Sequence, residues 1–194
     1  MDRLCLGDGQ AEILRREMKI MDRRRALIER SIPFLEETKN RTPGTDLETW
    51  LNTHYGPGTS FYENMSHDIR AGVEEGWAAN IEIDGPNYRR SRIAEPSAET
   101  NYFSITAVYM NSRGHFRGQY HAHPYGELNM VVPIDPDAQL MGPNGWSGPG
   151  WTAPGPGSHH YPESRNGAVI ALFFLPAGRI SYDIKPPSAP GATT

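Results

Sequence analysis

The chain is predicted to be mainly β, an antiparallel β-barrel preceded by an N-terminal helical segment. Three observations predict this. Apolar residues recur at helical spacing as far as Gly76 and at spacing two beyond it. The 20 glycines and 17 prolines crowd between Gly142 and Pro162 and again after Pro186, as turns between short strands require. With 194 residues and 37% hydrophobic composition, the chain can bury one core and is too short to suggest two.

The first element is a surface helix from Gln10 to Arg30, free of Gly and Pro, with Leu14, Met18 and Met21 at helical spacing. Its Arg23-Arg24-Arg25 run reads as a solvated helix face. Ser31 followed by Pro33 predicts a helix restart, because proline is tolerated in a first turn. Thr45-x-x-Glu48 and Ser60-x-x-Glu63 are capping boxes ahead of two apolar stripes, stopped by Gly56 and Gly76. The predicted organisation is therefore an extension over 1–30, a helical segment over 31–76 packed on the barrel, the barrel over 77–185, and a disordered tail over 186–194.

Strands are predicted at Asn80–Ile83, Tyr88–Ile93, Tyr102–Met110, Arg117–His123, Glu127–Ile134, Gly150–Ala153, Ala168–Leu175 and Ile180–Ile184. Asp84-Gly85 is a hairpin signal between the first two. His115, after Arg113-Gly114, reads as a surface loop residue, and His54 and His67 as packing or surface residues of their helices.

Several function classes fall away on composition. A net charge of -4 lacks the basic character of a nucleic-acid binder. The longest apolar run, Ala168–Leu175, is far too short to cross a bilayer, so no membrane partner is expected. No apolar h-region follows Met1, which makes a cytoplasmic location the expectation. Cys5 is the only cysteine, so any metal must be held by nitrogen and oxygen.

The chemistry is concentrated in His121-Ala122-His123-Pro124-Tyr125-Gly126-Glu127. Strand residues two apart share a face, so His121 and His123 can aim together into a barrel. The Pro-Tyr-Gly turn then returns Glu127 beside them, giving two imidazoles and a carboxylate with open positions for one divalent metal ion. A fourth ligand comes from Gly155-Pro156-Gly157-Ser158-His159-His160. Adjacent strand residues face opposite ways, so only one histidine of that pair points inward, with His160 favoured and His159 the alternative. Imidazole and carboxylate serve Fe, Mn, Zn, Ni and Co alike.

These two elements resemble the paired motifs of cupins, the first as His-x-His-x-x-x-Glu and the second as a Pro/Gly turn before a histidine. The match departs from that pattern at Pro133 and Ile134, where a glycine is usual, and at Gly155. A cupin-type antiparallel β-barrel, or jelly roll, is thereby implied, and cupin likeness also implies a homodimer. More closely, Gly72–Asn80, Phe103–Met110, Phe116–Glu127, Gly150–Tyr161 and Leu172–Tyr182 resemble the 4-hydroxylaminobenzoate lyases of nitroaromatic degradation, over about Ser31 to Lys185.

That resemblance implies a metal-dependent lyase turning 4-hydroxylaminobenzoate into protocatechuate (3,4-dihydroxybenzoate) with release of ammonia. A small aromatic carboxylate substrate calls for a guanidinium fork. Arg117 is the first candidate because it shares parity with His121 and His123, and Arg90, Arg92 and Arg179 are the others. Tyr125 and Tyr161 flank the ligand turns as proton-transfer candidates beside Glu127, and Asn129 shares the parity of Glu127. Two further classes suit the same ligand set: an Fe(II) dioxygenase of aromatic compounds and a non-catalytic small-molecule-binding cupin.

Overall fold

A computed structural model describes residues 8–142 and 145–186 of the chain. The start of the expected extension and all but the first residue of the expected tail lie outside the described residues. Three helices come first: α1 (Asp8–Thr38), α2 (Thr45–Tyr55) and α3 (Ser60–Glu75).

The predicted restart at Ser31 is absent, and α1 runs through Pro33. Leu27 on one side of the proline and Phe34 and Leu35 on the other are buried in one core. Burying them contributes roughly 1.5–3 kcal/mol each, which together outweighs the backbone hydrogen bond that proline forfeits. The predicted stripe of Leu14, Met18 and Met21 stays exposed. Of the arginine run, Arg25 pairs with its neighbour Glu29 on the solvent side, but Arg23 reaches Glu75 and Arg24 donates to the Ile93 carbonyl.

Neither capping box forms where it is predicted. Gly44 is the N-cap of α2, and Glu48 reaches out of the helix to accept a hydrogen bond at 2.9 Å from the backbone N–H of Ala153. At α3 the box moves back one residue: Thr59 Oγ1 accepts from the N–H of Tyr62 and Glu63 accepts from that of Gly58. Both acids are used, but tertiary contact and the local turn decide by what.

The strands are β1 (Ile81–Glu82), β2 (Tyr88–Ala94), β3 (Phe103–Arg117), β4 (His121–His123), β5 (Leu128–Pro133), β6 (Gln139–Gly142), β7 (Gly145–Ser147), β8 (Gly150–Thr152), β9 (Ser158–His160) and β10 (Glu163–Pro176). They build an antiparallel sheet in the order β1-β2-β3-β10-β5-β8, with β6 and β7 attached beyond β10, and a separate β4-β9 pair. The mainly β, cupin-type fold expected from the sequence is the fold observed.

The strand expectations need correction, and the expected strand Arg117–His123 is broken at 118–120. β3 does not stop at Met110 but continues to Arg117, because β10 begins early enough to pair Glu163 with Arg117. His115 is thus a strand residue, although its side chain is exposed. β6 and β7 carry little apolar alternation and are invisible to it. Of Ile180–Ile184, only Ser181 pairs, in a bridge to Ala122.

The period-two pattern divides the central strands between two cores. Ile105, Ala107, Leu128, Met130, Ile170, Leu172 and Phe174 face the three helices. Val108, Met110, Val131, Val169, Ala171 and Phe173 face the other way, into the barrel. By the same alternation Glu127 and Asn129 point inward with Val131. The helices therefore seal one side of the sheet and leave the barrel interior for the polar site.

Candidate metal centre

The small β4-β9 pair sets the centre. Its register places His121 opposite His160, Ala122 opposite His159 and His123 opposite Ser158. His121, His123 and His160 consequently share the inner face, and their ligand atoms lie within 4.8 Å of one another. His159 shares the outer face with Ala122, is exposed, and bonds to the Tyr120 hydroxyl. Of the two candidates in that pair, His160 is the one brought into the group.

The turn between β4 and β5 depends on Gly126. Its φ of +80° lies in the left-handed region, and a Cβ there would stand 2.6 Å from Pro43 and 2.8 Å from the Pro154 carbonyl. The backbone N–H of Glu127 donates to that carbonyl at 3.0 Å. Only glycine allows this close passage, which carries Glu127 back to the histidines.

The donor set fits a cation. His121 Nδ1 donates to the Gln119 carbonyl at 2.9 Å, leaving its Nε2 lone pair free for the interior. His123 Nε2 and His160 Nε2 are 3.2 Å apart. Two imidazole nitrogens bound to one ion at about 2.1 Å would stand roughly 3.0–3.4 Å apart, so that spacing suits a shared ion. Burial depresses the basicity of all three rings, His123 to about 2 and His160 to about 4, so they are neutral and ligand-competent near pH 7.

Glu127 departs from the expected four-atom set. The converging group consists of the three histidines, and the Glu127 carboxylate instead stands 3.3 Å from His123 Nδ1, on the far edge of that ring. The contact satisfies distance but not hydrogen-bond alignment, since His123 Nδ1 has no hydrogen-bond partner among the described residues. Burial alone raises the Glu127 carboxyl to about 8.

A cavity of about 470 Å³, counting its open mouth, adjoins the histidines. Tyr88, Val108, Met110, Ala171, Phe173 and Ile180 form its apolar wall, while Arg90, Glu127, Asn129 and Tyr182 supply polar groups. Asn129 is buried, and its Oδ1 has no hydrogen-bond partner among the described residues. Of the four candidate arginines only Arg90 lines this cavity. Arg117 is half exposed and spent on Glu163 and the face of Tyr161. Its predicted parity fails because β3 ends at Arg117 and residues 118–120 are not strand, so alternation does not carry across to β4. Arg92 pairs with Glu95, and Arg179 is exposed.

The two tyrosine candidates also lie elsewhere. Tyr125 sits at the outward tip of its turn, 54% exposed. Tyr161 packs between Tyr120 and Arg117 outside the cavity. Tyr182, which sequence reasoning assigned no role, is in it. Its only sequence signal is shared parity with Ile180.

Fold and site together define a small cupin-type enzyme with an internal histidine group. The chain belongs to the 4-hydroxylaminobenzoate lyase family: the profile of that family, PnbB, 4-hydroxylaminobenzoate lyase, matches residues 29–182. A 4-hydroxylaminobenzoate lyase of Nocardioides sp. (strain LMS-CY) is 69% identical over 162 residues, covering 84% of this chain and 96% of the relative. One of Pseudomonas putida is 60% identical over 173 residues, covering 85% and 98%. Among solved structures, that of the DMSP lyases RdDddP and RnDddQII has a TM-score of 0.41 at 14% identity, covering 85% of this chain and 96% of that one, too distant to bear on chemistry.

Proposed function

We propose that the chain converts 4-hydroxylaminobenzoate to protocatechuate and ammonia at one divalent metal ion held by His121, His123 and His160. The observation that carries this reading is the convergence of three neutral imidazoles beside a cavity with one lining arginine, in an enzyme of this family. The conversion adds one water and removes one ammonia, so it balances without a redox partner. When bound, the metal supplies Lewis acidity toward the hydroxylamine oxygen and activates water.

The chain's own residues orient the substrate. Val108, Met110, Ala171 and Phe173 hold the aromatic ring, and Arg90 faces the carboxylate. The unpartnered Oδ1 of Asn129 accepts the N–H of the hydroxylamine, a bond that otherwise leaves a buried acceptor unsatisfied. Glu127, 3.3 Å from His123 Nδ1, is placed to accept that ring's N–H once a metal holds its Nε2, and is the carboxyl of the cavity through which a proton can pass.

A pair of identical subunits and a cytoplasmic location belong to the same proposal. Exposed Ile81 and Ile83, on or beside edge strand β1, support the former. Among the described residues no helix is long and apolar enough to cross a membrane. The function is tested by incubating purified, metal-analysed protein with 4-hydroxylaminobenzoate and assaying both products. Absence of ammonia from metal-loaded protein would overturn it, and oxygen uptake during turnover would point to a dioxygenase instead.

A further inference from the structure

We infer that Tyr182 is a positioning residue that aims Arg90 and thereby makes the enzyme selective for a carboxylate para to the hydroxylamine. The inference rests on the proposed substrate class and extends it to a residue outside the expected site.

Tyr182 lies beyond the main sheet, yet it is locked to the histidine strand. Ala122 and Ser181 exchange backbone hydrogen bonds of 2.8 and 3.0 Å, which sets Tyr182 beside His121. The two rings meet edge to face with centroids 5.8 Å apart. At the other end of its side chain, the Tyr182 hydroxyl accepts a hydrogen bond from Nη1 of Arg90, which arrives from β2. The guanidinium carbon is 5.6 Å from the Tyr182 ring centroid.

Tyr182 thus spans the cavity between a metal-site imidazole and a guanidinium. Its side chain is itself a para-disubstituted benzene ring. A 4-hydroxylaminobenzoate ring lying alongside can place its nitrogen at the histidines and its carboxylate at Arg90 together. A meta carboxylate on the same ring diverges from that axis. Arg90 is available for this role: apart from the Tyr182 hydroxyl, its side chain has no hydrogen-bond or ion-pair partner among the described residues. A partly buried guanidinium without an acidic partner is costly to hold, and a substrate carboxylate offsets that cost.

The test compares wild type, Tyr182→Phe, Arg90→Gln and Arg90→Lys as full-length, metal-analysed proteins, on 4-hydroxylaminobenzoate, its 3-isomer and phenylhydroxylamine. Loss of one hydrogen bond to a charged group corresponds to a rise of about tenfold in KM for the 4-isomer in Tyr182→Phe, with kcat within about threefold. Metal content stays at the wild-type level. The preference for the 4-isomer over phenylhydroxylamine falls by the same factor, and further in Arg90→Gln, with partial recovery in Arg90→Lys. An unchanged KM, or equal losses on all three compounds, overturns the inference. Failure of the underlying activity is distinguishable, because wild type would then release no ammonia. In that event calorimetric binding of 4-hydroxybenzoate decides: affinity about tenfold weaker in Tyr182→Phe upholds the pairing, and equal affinity refutes it.

Discussion

His121 and His160 stand directly opposite each other in the β4-β9 pair, their ring centroids 5.0 Å apart, although β5 to β8 separate them along the chain. That pairing turns two remote motifs into one donor group. The following outcomes depend on it.

Removing an inner imidazole should empty the site, while removing the outer one should not. His121→Ala and His160→Ala are expected to lose most bound metal, and His159→Ala to retain it. Elemental analysis of the purified variants checks this. Equal metal content in all three would refute the assignment.

Glu127 touches His123 from behind, so its substitution should weaken the site rather than abolish it. Removing a group that orients a metal-bound histidine typically lowers affinity about 10–100-fold, and Glu127→Gln is expected to fall in that range. Titration against a competing chelator measures it. Complete loss of metal would show that the carboxylate is itself a ligand.

The metal-free protein should lose stability between pH 6.5 and 8. Glu127 is pushed up to about 8, so the folded chain keeps a proton that the unfolded chain has shed above its ordinary 4.5. Raising the pH through that window favours unfolding. The buried histidines act oppositely, with basicity depressed below 6.5, and cost stability only in acid. Above pH 6.5 the carboxyl acts alone, for a loss of up to about 2 kcal/mol. Denaturant melts across this range should show the decline in metal-free wild type and not in Glu127→Gln.

Gly126→Ala should damage fold and site together. The new methyl would meet Pro43 and the Pro154 carbonyl at under 3 Å, on a backbone with φ of +80°. Strain of this kind costs on the order of 1–3 kcal/mol. A lowered thermal midpoint accompanied by weaker metal binding is expected. A stable variant with normal metal content would contradict the role given to this turn.

Much of the site was legible because it is local. His121 and His123 lie on one strand, and spacing alone predicts that they share a face; Glu127, one tight turn further on, is brought to the edge of His123 and not into the donor group. Alternation predicts that only one of His159 and His160 points inward, and the pairing of His160 with His121 decides which. The arginine was not legible. Parity pointed to Arg117, but alternation holds only within one unbroken strand, and the chain leaves strand conformation at Gly118. Tyr125 and Tyr161 failed for a related reason, since nearness along the chain to a ligand turn does not set which way a side chain faces. The capping boxes show the same limit, as Glu48 is drawn away by the backbone of Ala153.

Residue order therefore decided the class of fold and the histidine motifs, which depend on short-range periodicity and spacing, and the family, which is carried by likeness over long stretches of the chain. Tertiary structure decided which arginine enters the cavity, that Glu127 stands behind His123 rather than within the donor group, and that Tyr182 joins Arg90 to His121. Those relationships are set by strand register and by the packing of segments far apart in the chain, and no local pattern encodes them.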